Sequence, residues 1–88
     1  MGDFILITIA KYGHTQIDRY SSTDLVKQAW QLADKEMRNG TWICMAQYRI
    51  DAEGKLAPMQ FTWTTDPRKT RSIVRRLAAI RKRFQAAI

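Results

Sequence analysis

The sequence predicts an α+β fold, a single small domain in which an antiparallel sheet of three or four strands carries two helices, in the order β(β)αββα. Three observations predict it. Runs rich in β-branched and aromatic residues occupy 3–12, 41–50 and 56–65. Two stretches, 21–40 and 67–86, repeat apolar residues at helical spacing. Turn chemistry punctuates the junctions at Gly13, Asn39-Gly40, Asp51 to Gly54 and Asp66-Pro67. With 88 residues the chain is expected to bury about 60–68% of its unfolded surface, enough for one modest core.

The first run, DFILITIAKY, has apolar residues on both faces: Phe4, Leu6 and Ala10 on one, Ile5, Ile7 and Ile9 on the other. A strand covered on both sides is expected at the centre of a sheet. HTQIDRY, 14–20, reads as a short second strand or an extended loop. In the 21–40 helix, Ser21 is the expected N-cap, Asp24 its capping-box acid, and Tyr20 staples to Leu25. Leu25, Val26, Ala29, Trp30, Leu32, Ala33 and Met37 form its apolar face, and Gly40 supplies the left-handed residue that ends it.

TWICMAQYRI and LAPMQFTWTT flank DAEGK as a hairpin. A type I turn with Gly54 as the bulge pairs Ile50 with Leu56. Continued without interruption, that register sets Trp42, Cys44, Ala46 and Tyr48 beside Thr64, Thr62, Gln60 and Pro58. A one-residue shift at a bulge near Pro58 sets them beside the apolar Ala57, Met59, Phe61 and Trp63 instead, and is the register expected. Trp42 and Trp63 are then expected to stack across the hairpin. Asp66 is the expected cap of the last helix, with Pro67 at its first position, where a missing N–H costs nothing.

Charge divides the chain in two. Residues 1–66 hold seven bases against eight acids, whereas 67–88 hold eight bases and no acid. Ile73, Leu77, Ile80, Phe84 and Ile88 fall within an arc of about 80° that can dock on the sheet. Opposite this stripe stand Arg68, Arg71, Arg75 and Lys82; Lys69, Arg76 and Arg83 line one flank and Arg81 the other. Surface helices ordinarily interleave acids with bases, because like charges at i,i+4, such as Arg71 and Arg75, repel by a few tenths of a kcal/mol. The helix C-terminus compensates Arg81, Lys82 and Arg83 through the macrodipole, which leaves five cations unexplained. Six of the eight are arginine, the better residue for bidentate contact with phosphate or carboxylate. DNA or RNA is therefore the first expected partner, bound by phosphate contacts from Arg68, Arg71, Arg75, Arg76, Lys82 and Arg83. Tyr12, His14 and Arg19, in the mixed aromatic and polar stretch KYGHTQIDRY, are candidates for secondary contacts. The competing partner is an acidic protein surface. An exposed apolar patch of Ile43, Met45 and Pro58 would favour that alternative. A membrane surface is not expected, since the apolar stripe is narrow and spent on the core. An edge strand offers a route to a homodimer.

Catalysis is not expected. Cys44 lies mid-strand among Trp, Ile and Met, the setting of a buried inert thiol. It is the only cysteine, which rules out an internal disulfide and a multi-cysteine metal site. One histidine, His14, with Asp18 four residues on does not make a metal site, and Asp34 and Glu36 read as solubilising charge. No glycine loop for phosphate is present, so no cofactor is expected. The longest apolar run, 4–10, is far short of the roughly 20 residues that cross a bilayer, and it lacks the features of a signal peptide; a cytoplasmic protein is expected.

In size and element economy the chain resembles small accessory proteins of phages and mobile elements, some of which inhibit host defence complexes. The resemblance is architectural and transfers no site residue. It implies a small inhibitor that docks its basic helix on an acidic surface of a larger complex.

Overall fold

A computed structural model describes residues 3–10, 13–63 and 67–86, with the backbone alone at 63, 67–70 and 84–86. The elements run β1 (Phe4–Ala10), β2 (Thr15–Tyr20), α1 (Thr23–Arg38), β3 (Trp42–Ile50), β4 (Leu56–Trp63) and α2 (Pro67–Ala86). The four strands form one antiparallel sheet in the order β2-β1-β3-β4. The α+β class and the central place of the two-faced β1 are as the sequence predicts, and residues 15–20 are a strand rather than a loop. Among the described residues no helix is long and apolar enough to cross a membrane.

The helices take opposite faces of the sheet. Ile73, Leu77 and Ile80 of α2 pack with Ile5, Ile7 and Ile9 of β1, Cys44, Ala46 and Tyr48 of β3, and Leu56 of β4. On the other face, Ala33 of α1 packs with Leu6, Trp42 and Met45, joined by Ala29, Trp30 and Met37. The apolar residues on both faces of β1 thus serve two separate cores. The Phe84 side chain and Ile88, expected on the α2 stripe, and the Asp66 cap lie outside what the structure describes.

Local chemistry explains where α1 begins and ends. The N-cap is Ser22, one residue later than expected, and its hydroxyl accepts from the Leu25 N–H at 3.2 Å. That shift removes the Ser21–Asp24 capping box. It also puts Leu25 at the third helical position rather than the fourth that a staple uses, and Leu25 is 48% exposed. Leu32, a heptad later on the same side, is 61% exposed. The inward stripe is Val26 and Ala33, both buried, with Ala29, Trp30 and Met37 half-buried, narrower than the apolar face read from the sequence. At the far end Gly40 has φ +83°, its N–H bonds the Met37 carbonyl at 3.0 Å, and Thr41 N–H reaches back to the Glu36 carbonyl at 2.9 Å. This paired 5→2 and 6→1 closure is the Schellman motif.

The β3–β4 hairpin takes the shifted register from Gln47 outward, while Tyr48 keeps its unshifted partner Pro58. Ile50 pairs with Leu56 across the Asp51–Gly54 turn, where Asp51 Oδ1 accepts from the Glu53 and Lys55 N–H groups at 2.9 Å each. Tyr48 then pairs with Pro58 but Gln47 with Gln60, so Met59 is the extra residue of a bulge. Proline cannot donate to a ladder, and a bulge beside it on an edge strand spares that bond. Beyond the bulge Ala46 faces Phe61 and Cys44 faces Trp63.

A second irregularity was not foreseen. Between β1 and β3 the pairing steps from Ile9–Cys44 to Ala10–Trp42, leaving Ile43 as the extra residue. Trp42 is thereby turned away from the Cys44 face onto the α1 side, where it is buried, and Ile43 packs against the α2 core. The expected grouping of Trp42 with Cys44, Ala46 and Tyr48 fails for this reason, and Trp63 pairs with Cys44 rather than Trp42.

Candidate functional site

The cationic helix α2 lies on one side of the sheet and α1 on the other, and their charges differ in kind. Between Thr23 and Arg38, three acids balance three bases, and Asp34 pairs with Arg38 at 2.9 Å. Between Pro67 and Ala86 there are eight bases and no acid. Arg71, Arg75, Lys82 and Arg83 are exposed, and no carboxylate among the described residues pairs with them. The side chains of Arg68 and Lys69 lie outside the described residues.

The two flanks of α2 are tied to the body. Arg76, expected to contact phosphate, donates through Nη1 to the Gly13 carbonyl and to Thr15 Oγ1, the latter at 3.1 Å. Its side chain remains exposed, and Nη1 is the atom engaged by the β1–β2 turn. On the other flank Arg81 is half-buried. Its Nη2 donates to the Leu56 carbonyl at 3.2 Å, and its guanidinium carbon lies 5.7 Å from the Tyr48 ring centroid. The Arg81 Nε–H is buried with no hydrogen-bond partner. Burial pushes the Tyr48 hydroxyl up; the nearby Arg81 charge pulls it down without cancelling that effect, and Cys44 adds to the rise.

Of the secondary candidates, Tyr12 lies outside the described residues. His14 is exposed, and its chain neighbours Gly13 and Thr15 are the two Arg76 anchor points. Arg19 lies on the α2 face by register, opposite Ile5, but its charge is matched by Asp3 in an exposed ion pair. The patch expected to favour a protein partner does not form. Met45 is fully buried under α1 and Ile43 is half-buried against the core, which leaves Pro58 alone exposed.

Sequence reasoning missed a cleft of about 230 Å³ between α2 and β4, lined by Tyr48, Phe61, Val74, Leu77, Ala78 and Arg81. Phe61 is 39% and Val74 50% exposed, and the Phe61 and Tyr48 rings are nearly perpendicular, with centroids 5.4 Å apart and an interplanar angle of 82°. Val74 and Ala78, an apolar i,i+4 pair beside the main stripe, were the available signal.

Two further chemistry-bearing groups are held within the fold. Glu36, read as surface charge, accepts from the Trp42 indole N–H at 2.6 Å and ties α1 to the start of β3. Cys44 is buried, and burial pushes its thiol up to about 11. Among the described residues, no three His, Cys, Asp or Glu side chains gather as metal ligands would. No family model, curated protein or solved structure matches this chain.

Proposed function

We propose that this is a cytoplasmic, non-enzymatic binding protein that holds nucleic acid through the outer face of α2, by phosphate contacts with little sequence preference. One observation carries the reading: a helix with eight bases and no acid lies opposite a helix whose charges balance. A charge serving only solubility has no reason to gather on one face, where neighbouring cations repel. Arg71, Arg75, Lys82 and Arg83 are the contacts proposed, with Arg68 as a fifth by its place on the same side of the helix. His14 is a candidate for a flanking contact, whereas Arg76 acts by fixing the helix to the β1–β2 turn.

Four to five duplex phosphate contacts give a log–log salt slope of about −3.6 to −4.5, or a loss of about 150- to 500-fold between about 50 and 200 mM salt. Anisotropy titrations of labelled duplex DNA, single-stranded DNA and RNA at those salts test this. Arg71→Glu with Arg75→Glu should weaken binding to every sequence alike, and undiminished affinity in that variant defeats the reading. Weak binding at both salts would assign the charge to an acidic protein surface, the alternative that the architectural resemblance to phage inhibitors suggests.

A further inference from the structure

We infer that the cleft between α2 and β4 is a pocket for one unstacked nucleobase, which makes single-stranded nucleic acid the preferred form. This rests on the reading of α2 as the phosphate-binding face and adds a base site beside it. At about 230 Å³ the cleft falls below the roughly 300–1,000 Å³ of sites that enclose whole small-molecule ligands, so it suits a single ring system. Its lining is what a base needs. Phe61 offers an exposed aromatic surface, Val74, Leu77 and Ala78 supply an apolar wall, and Arg81 brings a guanidinium held in place by Leu56 and Tyr48. No carboxylate among the described residues pairs with Arg81, so its charge favours the electron-rich edge of a base.

The occupant is argued from the cations around the rim. Ala78 has Arg75 three residues before it, Arg81 three after and Lys82 four after, all within one helical turn. Arg71 lies one turn before Arg75, beside Val74. A strand whose phosphates follow Arg71, Arg75 and Lys82 passes the mouth of the cleft, and a base can turn in from it. In a duplex the ring faces are stacked on their neighbours and unavailable, so only a single strand gains this contact.

Two variants test the pocket. Phe61→Leu keeps apolar bulk but removes the aromatic face; Ala78→Leu fills the mouth from an exposed helical position with a good helix former. Binding to fluorescein-labelled oligothymidylate and to a labelled duplex of equal length is measured for both, with thermal melts to confirm folding. Wild-type protein should bind the single strand more tightly. Each variant should lose about tenfold or more on the single strand while duplex affinity stays unchanged. Unchanged single-strand affinity in both folded variants, with tight binding intact, overturns the pocket and leaves the α2 reading standing. Equal losses on single strand and duplex also overturn it. Failure of the wild-type protein to bind either ligand overturns both.

Discussion

Arg76 on α2 and Gly13 in the β1–β2 turn, 63 residues apart, are joined by a hydrogen bond from the guanidinium to the glycine carbonyl. Gly13 has φ +90°, a conformation that side chains disfavour, and a Cβ there would meet Arg76 Nη1 at 3.3 Å. Turn conformation and helix anchor are therefore one device, and the cationic face is presented from a helix clamped at this point.

Gly13→Ala should cost about 1–2 kcal/mol from the left-handed backbone, with crowding of Arg76 in addition. Arg76→Met should cost about 1 kcal/mol. The double variant should lose less than the sum, because removing the guanidinium relieves the crowding. Urea midpoints of the three variants check this; strict additivity would show that the turn and the helix are not coupled.

Glu36→Ala should destabilise by about 1–3 kcal/mol, since the buried Trp42 indole N–H loses its acceptor. Glu36→Gln retains an acceptor oxygen and should recover much of the loss. Chemical melts followed by tryptophan fluorescence report both stability and the environment of the indole.

The Cys44 thiol, pushed up to about 11 from an ordinary 9.0 by burial, should be inert to disulfide reagents at neutral pH and react only on unfolding. Its effect on stability has a definite sign. Below about pH 9 both states keep the proton and the contribution is whole. Between about 9 and 11 the unfolded thiol ionises first, so stability falls by on the order of 2 kcal/mol as pH rises. Tyr20 and Tyr48, also raised, act in the same direction. Cys44→Ala should be less stable at neutral pH, by about 1 kcal/mol, yet show a shallower alkaline decline in melting temperature.

Leu25→Gln and Leu32→Gln should each change stability by no more than about 0.5 kcal/mol, because both residues face water. Ala33→Gln, one position along but buried, should cost several times as much, about 2 kcal/mol or more, by forcing a polar group between α1 and the sheet. Thermal melts of the three variants discriminate the observed apolar stripe from the wider one read from the sequence.

What the sequence determined by itself is local. Ser and Gly at its ends delimit α1, Asp51 and Gly54 shape the hairpin turn, and Pro58 forces the bulge that brings Phe61 opposite Ala46. The cationic back of α2 follows from helical spacing alone, and so do its two flanks. Tertiary structure decided the rest. Periodicity tells which faces of β1 are apolar but not which helix covers each, because both faces are equally fit to be buried. The extra residue at Ile43 has no turn chemistry to announce it, yet it turns Trp42 to the opposite core. Chain neighbours likewise do not reveal that Arg76 is anchored to Gly13 while Arg75 stays in water, or that Phe61, Val74 and Arg81 line one cleft. Those relationships join residues distant in sequence. They exist only once α2 has been laid across the sheet, at an angle set by the packing of Ile73, Leu77 and Ile80.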